Sequence, residues 1–228
     1  MCLITFEGID GSGKSTQAVR LRAHLRAQGH APLLVRDPGG TDLSERIRHL
    51  VLDAEHTVDP MAELMLFCAA RAQLVAEEIR PALQQGRIVL CDRFYDSTTA
   101  YQGGGRGVAD VAWLDDLHRH VTGGLVPDRT YWVALDTETA TARRRDGTTD
   151  AETAGAETAG AETTDDRMEA AGASFQERVA SAYANLAARH PERILRLDGT
   201  QSIEAVQAHI QSDVQRLLSA RSAPSPEA

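Results

Sequence analysis

Five short apolar runs along the chain predict buried β-strands. The predicted strands cover residues 3–6, 31–36 (apolar at 33–35), 88–91, 131–135 and 194–197. Apolar runs of this length are typical of parallel strands that are covered on both faces of a sheet.

Between these runs, apolar residues return every three or four positions, which is the spacing of one face of a helix. The first such helix is expected to end at Gly29, and others are predicted over 42–52, 59–85, 110–121 and 203–217. Two local breaks are expected as well. Pro81 should kink the last turn of the 59–85 helix, and the glycines at 103–107 predict a loop.

Strands that alternate with helices predict an α/β fold, in which a parallel sheet is covered by helices on both faces. Ligands of such folds bind at the carboxyl ends of the strands. Polar clusters at 7–16, 36–41 and 92–93 follow the first three strands. They therefore predict one shared site at this edge of the sheet.

Residues 6–16 match the phosphate-binding pattern G-x-x-x-x-G-K-[ST]. Gly8 and Gly13 let the backbone curl so that its N–H groups face an anion. Lys14 then reaches the β- and γ-phosphates of a nucleotide, and the Ser15 hydroxyl binds Mg²⁺. The predicted strand before the loop and the helix after it are the context this motif requires, so we interpret it as a nucleotide-binding loop.

Composition narrows the class of protein. Of 228 residues, 42% are hydrophobic and 25% are charged, as in soluble globular proteins. The net charge is −9 and, apart from the three arginines at 143–145, no Lys/Arg-rich run occurs, so we expect no nucleic-acid partner and no membrane partner. No apolar run could span a bilayer, and Glu7 interrupts the first one, which argues against a signal peptide. Cys2, Cys68 and Cys91 are expected to be buried reduced thiols, which suits a cytoplasmic protein.

The length fits a single domain over residues 1–228. Within it, residues 151–164 repeat the unit Ala-Glu-Thr-Ala-Gly without an apolar anchor. This predicts a flexible insertion over about 146–167. The Ser- and Pro-containing end predicts a disordered tail over about 221–228.

Four segments together resemble the thymidylate kinase family, the enzymes that phosphorylate dTMP. They are the loop at 6–16, Arg36-Asp37-Pro38-Gly39-Gly40-Thr41, Phe67-Cys68-Ala69-Ala70-Arg71, and the stretch from Asp92-Arg93-Phe94 to Gly107. Their order and spacing are similar to those of the bacterial members, and the resemblance covers nearly the whole chain.

The resemblance implies the three-layer fold of P-loop nucleoside monophosphate kinases, with a five-stranded parallel sheet and helices on both faces. It implies transfer of the γ-phosphate of ATP to dTMP, giving dTDP and ADP in dTTP biosynthesis, with Mg²⁺ as cofactor. It also implies a homodimer, for which the 59–85 helix could supply the face.

Phosphoryl transfer needs cations that position two anions and neutralise the moving charge. By resemblance, Lys14 and Arg93 contact the donor and acceptor phosphates, Ser15 binds Mg²⁺, and Asp92 supports the metal site. The implied ATP-binding residues are Gly8, Ile9, Asp10, Gly11, Ser12, Gly13, Lys14, Ser15 and Thr16.

The resemblance also implies the residues that bind dTMP. Asp10 would accept a hydrogen bond from the 3′-hydroxyl, and Tyr101 would crowd the 2′ position. Phe67 would stack on thymine, and Arg71 would hydrogen-bond the base. The implied set is Asp10, Arg36, Phe67, Arg71, Arg93, Ser97, Thr98, Tyr101 and Gln102.

Two features depart from the family pattern. Asp37 stands where the family usually has Glu, so the group that this carboxylate holds is expected to be held differently. The repeat insertion falls in the lid that closes over ATP. Because residues 9–12 contain no arginine, the resemblance implies that the lid supplies one. The candidates are Arg143, Arg144, Arg145 and Arg167.

Two other functions remain open from the residues alone. A deoxynucleoside kinase or another small-metabolite kinase could use the same fold. A nucleotide-dependent switch would fit the literal D-x-x-G at 37–40, but the sequence contains no N-K-x-D motif to read guanine. The sequence also does not determine the preference for dTMP over dUMP.

Overall fold

The structure, a computed structural model, describes residues 1–53, 55–145, 168 and 171–222. The strands are Cys2–Glu7 (β1), Leu33–Arg36 (β2), Ile88–Asp92 (β3), Arg129–Ala134 (β4) and Ile194–Asp198 (β5). The helices are Lys14–Ala27 (α1), Asp42–Leu52 (α2), Pro60–Leu74 (α3), Arg80–Gln84 (α4), Tyr95–Thr98 (α5), Val111–Thr122 (α6), Thr137–Arg145 (α7), Ala173–Arg189 (α8) and Ile203–Ser222 (α9). Two π-helical turns, Val75–Ile79 and Thr99–Gly105, follow α3 and α5.

The strands pair in the order β2-β3-β1-β4-β5, and every pair is parallel. The predicted five-stranded parallel sheet is therefore confirmed. Every residue of the central strand β1 is buried. Asp92 of β3 lies opposite Phe6 of β1, and also opposite Arg36 of β2. The carboxyl ends of these three strands thus meet, as the polar clusters predicted.

Helices cover both faces of the sheet. On one face, Leu21 of α1 and Ile210 of α9 pack with Phe6 of β1. On the other face, Leu74 of α3 packs with Val89 of β3. Successive side chains of a strand point to opposite faces, so a strand buried on both sides is apolar at most positions. This is why the strands were visible as unbroken apolar runs.

Several helix boundaries follow local signals. The Thr41 side chain caps α2 by accepting a hydrogen bond from the N–H of Ser44 at 3.1 Å. Asp59 caps α3 in the same way, directly before Pro60 in the first turn. Gly123 ends α6 in the left-handed conformation, with a φ of 58°. These side chains and backbone shapes satisfy the unpaired groups that every helix end exposes.

The helix predicted over 59–85 is continuous but changes its winding. α3 widens into the π-helical turn Val75–Ile79 before α4 begins. Pro81 lies in the first turn of α4. Proline offers no N–H to the carbonyl one turn earlier, and a local π-helical turn accommodates such a break in the hydrogen-bond ladder.

The loop predicted at 103–107 is wrong in its first half, because the second π-helical turn continues through Gly105. A Cβ on Gly104 would lie 2.4 Å from the Cβ of Ala182, and a Cβ on Gly105 would lie 2.5 Å from the ring of Phe175. The glycines at 104 and 105 therefore allow α8 to approach closely, rather than form a loop.

The sequence analysis did not predict α7 and α8. For α8 the signal was present, since Phe175, Val179, Tyr183 and Leu186 recur at the helical period and are buried. The predicted insertion at 146–167 lies outside the described residues. The same holds for 223–228 of the predicted tail, and α9 extends through Ser222.

Among the described helices, none combines the length and the apolarity that a membrane span requires.

Candidate active site

The phosphate-binding loop lies between β1 and α1. Gly8 adopts a φ of 145°, and a Cβ there would lie 2.6 Å from the carbonyl oxygen of Val133. Gly13, the residue before α1, adopts a φ of 93°. Both conformations strain any residue that has a side chain. The loop leads directly into α1, whose N-terminus adds partial positive charge to an anion site.

Two cations meet at the carboxylate of Asp10. Lys14 Nζ donates to Asp10 Oδ1 at 3.1 Å, and Arg93 Nη2 donates to the same oxygen. Burial alone would raise the pKa of Asp10, but attraction by Arg93 and Lys14 outweighs it and lowers the pKa well below its usual range. Two positive charges thus face one negative charge beside the loop, an arrangement suited to bringing phosphates together.

Arg93 is held in an unusual backbone conformation. Its φ is 65°, in the left-handed region, and its N–H donates to the carbonyl of Phe6 at 2.9 Å. The guanidinium Nη1 donates to the carbonyl of Gly8 and to Ser97 Oγ, both at 3.0 Å. A non-glycine residue in this region costs about 1–3 kcal/mol, and such strain is concentrated at functional sites. The contacts fix the Arg93 guanidinium between the loop and α5.

Behind Arg93 lies a buried carboxylate that the sequence analysis did not identify. Glu7 accepts hydrogen bonds from the N–H of Phe94 at 2.8 Å, Ser97 Oγ at 2.6 Å and the Tyr183 hydroxyl at 2.9 Å. Burial, and then the nearby charge of Asp96, raise the pKa of Glu7 to about 7. The signal was present in the sequence, because a carboxylate ended an otherwise apolar strand.

The predicted metal residues lie together. Ser15 Oγ donates to Asp92 Oδ2 at 2.5 Å. The other carboxylate oxygen, Oδ1, is buried and has no hydrogen-bond partner among the described residues. Within that part of the chain, no three His, Cys, Asp or Glu side chains cluster as a protein-only metal cage. An Mg²⁺ ion that keeps several waters and binds phosphate oxygens needs few protein ligands, so this hydroxyl and carboxylate fit it.

A solvent-open cleft lies beside Asp10 and Arg93. It brings together eight of the nine predicted dTMP-binding residues: Asp10, Phe67, Arg71, Arg93, Ser97, Thr98, Tyr101 and Gln102. Arg36 does not line it and instead pairs with Glu45 at 3.0 Å. The cleft also includes Asp37, Pro38, Arg48, Leu52 and Met168, none of which was predicted to bind dTMP.

Asp37, the residue that departs from the family pattern, holds Arg71. Its Oδ2 accepts a hydrogen bond from Arg71 Nε at 2.5 Å, and both side chains are almost fully buried. Burial raises the pKa of Asp37, and the attraction of Arg71 opposes that rise. Arg71 Nη1 is buried and has no hydrogen-bond partner among the described residues. The guanidinium therefore offers an unused donor in the wall of the cleft.

The Tyr101 ring lies between the cleft and α8. Its hydroxyl donates to Asp10 Oδ2 and accepts from Arg93 Nη2, both at 3.3 Å. The Arg93 guanidinium lies over the ring at 5.1 Å from its centroid. The ring also meets Phe175 and Tyr183 of α8 edge-on. Tyr101 is thus fixed beside Asp10 and Arg93 in the wall of the cleft.

The candidate lid arginines are placed only in part. Arg143 Nη2 donates to the carbonyl of Gly199, after β5, at 2.9 Å. Arg144 and Arg145 end α7, but their side chains lie outside the described part of the structure. Arg167 also lies outside it. Of the four candidates, the described part of the structure therefore places only the side chain of Arg143.

Comparison with known proteins gives one family. The family model described as thymidylate kinase matches residues 6–210. A thymidylate kinase of Chlorobium chlorochromatii is 44% identical over 97% of this chain and 98% of its own length. One of Bifidobacterium longum is 45% identical over 94% of this chain and 97% of its own. The crystal structure of thymidylate kinase from Ehrlichia chaffeensis superposes with a TM-score of 0.71 at 32% identity, covering 94% of this chain and 98% of that one.

Proposed function

The chain belongs to the thymidylate kinase family, and we propose that it transfers the γ-phosphate of ATP to dTMP, giving dTDP and ADP. The observation that carries this proposal is the convergence of Lys14 and Arg93 on Asp10. This cluster lies where a phosphate-binding loop adjoins the cleft that Phe67, Arg71 and Tyr101 line. Such a junction holds a donor and an acceptor phosphate side by side.

In this mechanism the protein supplies positioning and charge. ATP lies along the loop, where backbone N–H groups and Lys14 bind its phosphates. The phosphate of dTMP lies on Arg93, which the Gly8 carbonyl and Ser97 keep aimed at the loop. Rigid cations placed before the reaction neutralise charge on the transferred group without reorganising.

Ser15 and Asp92 would hold Mg²⁺, the hydroxyl as a ligand and the carboxylate, with its unpaired Oδ1, as support for the metal site. The ion would supply positive charge that neutralises the phosphates of ATP.

The cleft supports recognition of a deoxyribonucleotide. Asp10 would accept from the sugar 3′-hydroxyl, and the fixed ring of Tyr101 would exclude a 2′-hydroxyl. Phe67 would stack on the base and Arg71 would donate to it through Nη1. Ser97, Thr98, Gln102 and Arg36 complete the proposed dTMP-binding residues.

For the donor side we propose that one of Arg143, Arg144, Arg145 and Arg167 closes over ATP. Its role would be to add positive charge once the lid excludes water.

We further propose a cytoplasmic homodimer. Met61 and Met65 lie one helical turn apart on α3, and each is 40% exposed. They form an apolar edge that a second copy would cover. Sedimentation should give a dimer for the protein and a larger monomer fraction for Met61→Lys/Met65→Lys. The cysteines at 2, 68 and 91 are free and buried, as is usual in a reducing compartment.

A coupled ADP assay tests the proposed reaction. ATP consumption should be close to zero without an acceptor and should rise on addition of dTMP. Thymidine has the same base and sugar but no phosphate for Arg93, so it should be a poor acceptor. Turnover that is faster with thymidine would make the protein a nucleoside kinase. ATP hydrolysis at the same rate with and without an acceptor would show that the protein is not a kinase.

A further inference from the structure

Glu63 is a buried carboxylate that the proposed mechanism does not use. It lies on α3 and has no solvent exposure. The guanidinium of Arg106 donates to Glu63 through Nε at 3.4 Å and through Nη2 at 3.3 Å, one contact to each oxygen. A carboxylate paired in this way can accept hydrogen bonds but cannot donate them.

Glu63 also contacts the cleft through Gln102. Gln102 Nε2 donates to Glu63 Oε1 at 2.9 Å, and Gln102 is itself 2% exposed. The two ends of a glutamine amide have nearly the same shape but opposite polarity. Because Glu63 only accepts, it must face the NH₂ end. The carbonyl Oε1 of Gln102 is then the end left for the cleft, which Gln102 lines.

Arg71, in the same cleft, presents the complementary group. Its Nη1 is a buried donor without a partner among the described residues. One donor and one acceptor together match a base edge with a carbonyl next to a ring N–H, which thymine and uracil possess. Cytosine presents the opposite pattern, with an amino group beside an unprotonated ring nitrogen.

We propose that Glu63 is a positioning residue for base choice, because it fixes which end of the Gln102 amide faces the bound nucleotide. This inference rests on the proposed function, since it concerns the same acceptor site. Glu63 itself does not touch the substrate. A neutral amide at position 63 could donate to Gln102 Oε1, so Gln102 could turn its NH₂ end toward the cleft.

The test is Glu63→Gln, assayed for kcat/KM with dTMP, dUMP and dCMP at saturating ATP. We expect kcat/KM to fall at least about tenfold for dTMP and by a similar factor for dUMP, because both carry the same base edge. The value for dCMP should not fall, so the dTMP-to-dCMP ratio should drop by at least about tenfold. The KM for ATP should stay within about twofold of the wild-type value.

A swapped pair separates polarity from packing. Glu63→Gln/Gln102→Glu keeps the net charge and nearly the same volume, but restores an acceptor facing the cleft. The double variant should recover the preference for dTMP over dCMP. If Glu63→Gln alone does not fold, the double variant still tests the inference. Glu204→Gln, which neutralises an exposed partner of Arg20 on the other side of the sheet, is the matched charge control. It should leave all three kcat/KM values unchanged.

The inference is overturned if Glu63→Gln lowers kcat/KM by the same factor for all three nucleotides, or if the swapped pair does not restore the ratio. Both results would make Glu63 a purely structural partner of Arg106. The proposed function fails separately, if the wild-type protein does not phosphorylate dTMP at all.

Discussion

Lys14 and Arg93 share the carboxylate of Asp10, so loss of the lysine leaves Asp10 still paired with the arginine. We therefore expect Lys14→Ala to stay folded and to lose about 10²–10³ in kcat, the usual cost of removing one preorganised group that stabilises the transition state. KM for either substrate should change less, because the charge on the moving phosphoryl group is greatest in the transition state. Steady-state kinetics beside a melting curve measures both effects.

Lys14 is the only lysine in the sequence, so a reagent that modifies lysine side chains tests its role without a mutation. A lysine-selective acylating reagent should inactivate the wild-type protein, and bound ATP should protect it. Lys14→Arg keeps the charge and should retain more activity than Lys14→Ala. If Lys14→Ala turns over like the wild type in a clean preparation, the loop has no part in the transfer step.

Glu7 carries a pH dependence of stability. Its pKa rises from an ordinary 4.5 to about 7, through burial and then the charge of Asp96. Between these values the folded protein retains a proton that the unfolded chain has released. The free energy of unfolding therefore falls as the pH rises through this window. Each pKa unit corresponds to about 1.4 kcal/mol, so the loss is at most about 3.5 kcal/mol.

Glu7→Gln removes the carboxyl group of Glu7, which titrates in this window, and leaves every other ionisable side chain in place. The free energy of unfolding of the wild type, minus that of Glu7→Gln, should decrease between about pH 4.5 and about pH 7 and then stay constant. Denaturant titrations across this range measure it, and the contribution of Asp10 cancels because both proteins contain it. A difference that does not change with pH would show that Glu7 is ionised throughout.

At the scale of elements, the π-helical turn Thr99–Gly105 and α8 form one packed unit. The turn carries Tyr101 and Gln102, and α8 carries Tyr183, which donates to Glu7. The contact depends on Gly104, because a Cβ there would lie 2.4 Å from the Cβ of Ala182.

Gly104→Ala should therefore destabilise the protein by about 1–3 kcal/mol, the range for overpacked sites. It should also raise KM for dTMP, because the turn lines the acceptor cleft. Adding Ala182→Gly should recover part of the stability, even though Gly within a helix costs about 1 kcal/mol by itself. Thermal melts of the two single variants and the double variant measure how strongly the stability effects at positions 104 and 182 depend on each other. Additive losses would mean that these two positions do not constrain each other.

At the scale of the whole molecule, the segment proposed to close over ATP combines a repeat insertion with flanking arginines. The repeat at 151–164 is polar and lacks an apolar anchor, whereas arginines flank it at 143–145 and 167. Deleting 151–164 should preserve the melting temperature and most of kcat, since halving a flexible loop changes closure entropy by only about 0.6 kcal/mol. Neutralising Arg143, Arg144, Arg145 and Arg167 together should lower kcat at least about tenfold, as for a lost transition-state cation.

The two lid variants are compared side by side, and single substitutions then locate the main contributor. Arg143 is expected to contribute only if it leaves the Gly199 carbonyl when ATP binds. A deletion more damaging than the quadruple substitution would assign the lid function to the repeat itself.

Local sequence patterns determined the strands and the phosphate-binding loop of this protein. The apolar runs specified the strands because a parallel strand covered on both faces is apolar at most positions. The phosphate-binding loop was readable because its chemistry depends on consecutive residues, from Gly8 to Ser15. The resemblance named eight residues that the fold gathers in one cleft, although contact of each with dTMP stays a prediction.

Only the tertiary structure decided which distant residues meet. Glu7 and Tyr183 are far apart in sequence, and so are Asp37 and Arg71, or Glu63 and Gln102, yet each pair is hydrogen-bonded. No local period encodes such pairs, because each side chain satisfies a partner brought by a different element. The glycines at 104 and 105 were mistaken for a loop for the same reason. Glycine is needed at these two positions because α8 packs too closely to leave room for a Cβ. The close approach of α8 is a property of the packed fold and not of the neighbouring sequence.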